Sequence, residues 1–148
     1  YRHIDWPVVV LLGAMIPIGG TLVSTGITDE IASLVATNFT DLHVGWSLAV
    51  ILVITMFISD LINNAATAVI MAPLSVSIAN TMTYPIEPFL MSVAIGASCA
   101  FLSPIGHQCN TLVMGPGNYK FGDYWRLGLP LEIIIVAVSI PVLLLVWF

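Results

Sequence analysis

Apolar residues run along the chain in four long blocks separated by short polar stretches. The first extends from Trp6 to about Ser24, the second from Val44 to Ile78, the third from Phe89 to about Met114 and the fourth from about Leu129 to Phe148. A bilayer core of about 30 Å takes about 20 apolar helical residues, so residues 6–24 and 128–148 read as transmembrane helices. The middle blocks are too long and too interrupted for simple spans. In the second, the arms Val44–Ile58 and Ala65–Ile78 flank the polar centre Ser59-Asp60-Leu61-Ile62-Asn63-Asn64. Each arm is at the short end for crossing a bilayer, which favours a re-entrant helical hairpin over residues 44–80. In the third, the arm Phe89–Leu102 meets Pro104 and Gly106, which break a helix, before a short apolar turn and Gly115-Pro116-Gly117. Residues 88–116 therefore read as a discontinuous transmembrane helix. Between the first two blocks, Ile27, Ile31, Leu34 and Val35 share one helical face behind an acidic first turn, giving an interfacial helix over 27–37.

Composition places this pattern in a membrane. Of 148 residues, 59% are hydrophobic and 7% charged, against roughly 25% charged in a soluble domain, and the mean hydropathy is +1.05. The expected fold class is all-α integral membrane, in a bacterial-type inner or plasma membrane. Three basic residues cannot make a phosphate-binding patch, so no nucleic-acid partner is expected. The two cysteines, Cys99 and Cys109, give neither a disulfide framework nor a zinc spacing and read as small apolar side chains. Arg2, Lys120 and Arg126 set the orientation: by the positive-inside rule residues 1–5 and 117–127 are cytoplasmic, leaving 25–43 and 81–88 extracytoplasmic. The chain starts at Tyr1 without a signal-peptide pattern and ends in the apolar run Val142–Phe148, which reads as a fragment.

Irregular backbone at membrane depth is tolerated only where protein buries it or it lines a cavity. Two such interruptions in neighbouring segments point to a site. Asp60 sits in one of them, where an acidic group costs about 2.5–3.5 kcal/mol on insertion scales, and it either acts at the site or braces the hairpin tip. Asn63 and Asn64 precede the small-residue helical start Ala65-Ala66-Thr67-Ala68, so either can cap it and leave backbone N–H groups for an anion. Thr67 in that first turn supports the site. Asn110 takes the corresponding place before Thr111-Leu112-Val113. Carbonyls freed at the hairpin tip and after Ala94–Leu102 are the oxygens that Na⁺ requires. His107, inside the Pro/Gly-bounded break, either titrates and contacts substrate or is satisfied by a neighbouring carbonyl. A Ser103-His107-Asp60 triad lacks any nucleophile-elbow motif, so no catalytic residue and no enzyme activity is expected.

These residues carry a family resemblance. "IDWPVVVLLGAMIPIGGTL", "SDLINNAATAVIMAP" and "AIGASCAFLSPIGHQCNTLVMGPG" resemble a small-residue span, a hairpin and a broken helix in the C-terminal half of the divalent-anion:sodium symporters of the ion transporter superfamily. Those are the permeases for dicarboxylates, citrate and sulfate. The resemblance implies one half of an inverted-repeat transporter, working by alternating access as a homodimer, with the N-terminal repeat absent from this chain. It also implies that Asn64 is the signature asparagine, that Asn63 stands where serine is usual, and that Ser59, Ile62, Asn64 and Gly106 offer oxygens to Na⁺. Ala65 replaces a threonine that contacts the substrate carboxylate, and His107-Gln108-Cys109 replaces Thr-Pro-Pro. The expected substrate site is thus Asn63, Asn64, Ala65, His107 and Asn110, with Asp60 and Thr67 supporting it. Na⁺ is the coupling ion, with H⁺ as its alternative, and the partners are a small anion and the lipid bilayer. A cation/proton antiporter, an arsenite-type permease and a non-transporting structural module are the other readings.

Overall fold

The computed structural model describes residues 43–62, 64–104 and 106–148, together with Pro17, Thr21 and 24–26. Of the expected first span, Pro17, Thr21 and Ser24 are described and are helical. The interfacial helix over 27–37 and Asn63 lie outside the described residues.

The described chain is helical: α1 (Val44–Leu61), α2 (Asn64–Thr81), α3 (Ile86–Ala97), α4 (Gln108–Met114) and α5 (Tyr124–Trp147), with a 3-10 turn at Phe121–Asp123 before α5. α1 and α2 are joined by the short polar tip. Each has 18 residues, roughly 27 Å of helix, so the helices outrun the apolar arms and take in part of the polar centre. α3 packs extensively against both α1 and α2. Its start follows from Pro85 and Pro88, which suit a first turn where N–H groups have no intrahelical partner, and from Glu87, which suits the positive end of the dipole. α3 stops at Ala97, five residues short of the expected arm ending at Leu102. α5 begins four residues before the expected 128.

α5 runs antiparallel to α1. Gly45 at the start of α1 faces Ile140 and Leu144 near the end of α5, while Asp60 near the end of α1 meets Glu132 in the first half of α5. The molecule therefore has two ends. At one, Phe89 is fully buried among Val44, Ile78, Ala79 and Leu143, with Trp147 packed alongside, and Tyr84 stacks near Phe89 and meets Phe148 edge-on. At the other lie the hairpin tip, the segment after α3 and the first turns of α5. Close approach between layers depends on glycine: a Cβ on Gly96 would meet Thr55 Cβ at 2.8 Å and the Leu52 carbonyl at 2.9 Å, and one on Gly128 would meet the Phe101 carbonyl at 2.5 Å. Val44–Leu61 and the continuous stretch Phe121–Trp147 are long and apolar enough to cross a membrane. Much of α5 exposes large apolar side chains, among them Ile133, Val138 and Leu145.

α2 ends in a paired hydrogen-bond motif, with the Tyr84 N–H donating to the Ala79 carbonyl and the Thr83 N–H to the Asn80 carbonyl. This puts Thr83 at φ +59°, a left-handed position that a β-branched residue rarely adopts. Thr83→Gly is expected to stabilise the protein by about 1 kcal/mol, seen as a higher unfolding temperature in detergent. Gly128→Ala is expected to cost about 1–3 kcal/mol through the Phe101 clash. Gly122→Ala, whose Cβ would enter open space, should leave the unfolding temperature unchanged.

Candidate ion and anion site

The described residues between Ser98 and His107 are non-helical backbone between two helices, and side chains from elsewhere take up several of its polar groups. The Leu102 N–H donates to Asp60 Oδ1 (2.9 Å), and the Ser103 hydroxyl donates to the Asp60 carbonyl (2.7 Å). The Gly106 N–H donates to Ser103 Oγ (3.1 Å). From the other side, Asn110 Nδ2 donates to the Ala100 carbonyl (2.8 Å) and the Ser103 carbonyl (3.1 Å), while Thr111 Oγ1 donates to the Pro104 carbonyl (2.6 Å). This explains why α3 ends early. The groups that would have continued it are bound to the tip of the hairpin and to α4.

Gly106 rests directly on the tip: a Cβ there would lie 2.9 Å from Ala100 Cβ and 3.0 Å from the Ser59 carbonyl. Next to it, Ser59 Oγ lies 2.9 Å from Asn64 Oδ1 and 2.9 Å from the Ala97 carbonyl. A hydroxyl carries one hydrogen, so it satisfies one of these acceptors at a time. Three oxygens, two of them unable to donate, converge on a buried point at the junction of α1, α2 and α3. Such a set suits a hard cation, which binds oxygen donors of this kind.

Several expected residues fall differently from their expected roles. Asn64 is the first residue of α2 rather than its cap, and its side chain turns to Ser59. Asn110 is not the cap of the helix after the break. That place belongs to His107, whose Nδ1 accepts from the Cys109 N–H (3.2 Å), because the helix starts at Gln108 and leaves Asn110 in its first turn, pointing back at the break. Both hydrogens of the Asn110 amide are engaged there. Its own carbonyl accepts from the Tyr124 hydroxyl (2.7 Å), tying the first turn of α5 to α4. Ile62 donates its N–H to the Ile58 carbonyl and exposes its side chain. Ala65 is half-buried, and Thr67 is fully buried with Oγ1 lacking a partner. His107 and Asn110 line a cavity of about 240 Å³ with Ser98, Ala100, Phe101 and Cys109.

The Ala97 carbonyl, Ser98, Ser103 and Glu132 are not among the residues expected from sequence. Ser98 and Ser103 were visible as polar residues flanking the break. Glu132 had a stronger signal, an acidic side chain inside the fourth apolar block.

A model of the citrate transporter family matches residues 1–96 and 45–148. The chain belongs to that family. It is 39% identical over 144 residues to the uncharacterized transporter YfbS of Escherichia coli strain K12, covering 95% of this chain and 23% of that protein. It is 34% identical to the uncharacterized transporter sll0640 of Synechocystis, over 99% of this chain and 24% of that protein. A third relative, the sodium/sulfate cotransporter 2 of Chlamydomonas reinhardtii, is 27% identical over 93% of this chain and 16% of its own length. The chain thus spans about a quarter, or less, of the length of these three relatives. The matching family and these relatives are all described as transporters.

Replacing Asn110 by alanine is expected to remove the amide that braces the Ala100 and Ser103 carbonyls, at about 1–3 kcal/mol. Hydrogen exchange should then speed up at the Leu102 and Gly106 amides while those of α5 beyond Leu131 keep their rates. Unchanged exchange across the break would contradict the bracing role.

Proposed function

We propose that this chain is part of a secondary active transporter that couples Na⁺ to symport of a divalent anion, a dicarboxylate, citrate or sulfate, by alternating access. The observation that carries this reading is the convergence of Ser59 Oγ, Asn64 Oδ1 and the Ala97 carbonyl, three oxygens sharing one hydrogen, at the tip of a hairpin that abuts broken backbone. Ser59 and Asn64 supply side-chain oxygens to Na⁺, with backbone oxygens from Ile62 and Gly106. The anion binds beside them, toward Asn63, Ala65 and the cavity shared by His107 and Asn110. Sodium/sulfate cotransport is what the names of two Chlamydomonas relatives describe, which supports sodium and a sulfate-like anion here.

In this reading residues 44–80 are the re-entrant hairpin, 88–116 the discontinuous helix, and 117–127 face the cytoplasm. The depth of the tip supports it: Asp60 meets Glu132 roughly 12 Å from the start of α5 at 1.5 Å per residue, inside the length of a helix that spans the membrane rather than beyond it. The tip and the break move together, being joined through Asp60 and Ser103. In this reading the chain belongs to one of the two repeats of an inverted-repeat transporter, and the other repeat and a second copy of the transporter complete the assembly.

Uptake of radiolabelled sulfate, citrate and succinate by the intact transporter in proteoliposomes tests this reading. A sodium gradient is expected to drive at least one of them. Asn64→Ala and Ser59→Ala should each raise the half-saturating Na⁺ concentration by about tenfold with an unchanged elution profile. Uptake that follows a proton gradient and ignores sodium would overturn the coupling ion, and the absence of uptake of all three anions would overturn symport.

A further inference from the structure

Glu132 of α5 and Asp60 of α1 are both buried, at 9% and 3% exposure, and their carboxyl groups lie against each other. Asp60 Oδ1 accepts the Leu102 N–H. Asp60 Oδ2 and Glu132 Oε1 are buried without a donor. Glu132 also faces the Phe101 backbone N–H, and among the described residues the Cys99 thiol is the other titratable group beside the pair. On its far side Glu132 borders a cavity of about 490 Å³ between α1 and α5, walled by Val53, Met56, Phe57, Ile133 and Val136, whose side chains among the described residues are apolar.

Two carboxylates in contact within apolar surroundings repel each other and have both lost their hydration. A single proton removes one charge and supplies the missing donor, since a protonated carboxyl gains an O–H while keeping acceptor capacity. Asp60 already accepts a backbone N–H, the role a carboxylate fills best, so the proton belongs on Glu132. We infer that Glu132 is a positioning residue: a neutral carboxylic acid whose O–H donates to Asp60 and holds the hairpin tip and the broken segment in place against α5. The role in transport rests on the reading given above. The hydrogen bond itself does not.

The test compares Glu132→Gln with Glu132→Leu in the intact transporter. Glutamine keeps a donor for Asp60, whereas leucine keeps the bulk and removes it. In infrared spectra at neutral pH, the native protein is expected to show a carboxylic-acid C=O band that Glu132→Gln lacks. Glu132→Gln should unfold near the native temperature and Glu132→Leu below it. With sulfate as the probe, Glu132→Gln should keep a near-native half-saturating Na⁺ concentration, and Glu132→Leu should raise it about tenfold. If native and Glu132→Gln proteins show the same acid band, or if glutamine rescues the unfolding temperature no better than leucine, the inference is overturned. If the native protein takes up no sulfate under a sodium gradient, sulfate is not its cargo or symport fails. The infrared and unfolding results then decide the fate of the Glu132 hydrogen bond on their own.

Discussion

The bond from the Leu102 N–H to Asp60 Oδ1 is the contact on which the rest of this architecture depends. An apolar chain that abandons helix exposes N–H and C=O groups that lipid cannot satisfy, each at a cost of several kcal/mol. Here the cost is met by importing side chains into the gap. Asp60 and Ser103 bind the broken segment to the hairpin, and Asn110 and Thr111 bind it to the helix that follows. Several groups of the irregular backbone are thereby engaged, most of them by partners on other elements. A break satisfied in this way is a joint between elements and not merely a flexible point.

The same arrangement explains the position of the oxygen cluster. α3 stops at Ala97 because the residues beyond it are held elsewhere, and that stop frees the Ala97 carbonyl to face Ser59 and Asn64. Gly106 then closes over the tip, where any side chain would strike the Ser59 carbonyl or Ala100. Gly96 and Gly128 do comparable service along the flanks, letting α1 and α5 approach α3 and the break to backbone contact. Ligand-like oxygens and close packing thus arise from one feature, the early end of a helix.

Much of this is legible in the chain and some is not, for a definite reason. Polarity along the sequence marks Ser59–Asn64 and Ser103–Asn110 as interruptions, and Pro104 with Gly106 signals a break, because these are local properties of residues and their neighbours. Which side chain satisfies which backbone group is not local: Asp60 reaches Leu102 across 42 positions. Asn110 illustrates the limit. Its place before a short apolar run suggests a cap, yet His107 takes the cap and Asn110 becomes the brace, a choice made by the path of the break rather than by spacing. Glu132 was visible as a residue and illegible as a partner, since its neighbour α1 lies some seventy positions earlier.

That separation bears on how the protein is made. Asp60 leaves the ribosome well before Leu102 exists, and at about 5–20 residues per second the interval is roughly 2–8 s, with Glu132 later still. Through that interval the hairpin carries an acidic tip whose final partners have not been synthesised. An acidic tip is costly to leave in lipid without its partners, so the arms settle fully only as those partners arrive. The order of the chain therefore makes the hairpin an early arrival and a late commitment, locked in place only when α5 enters beside it.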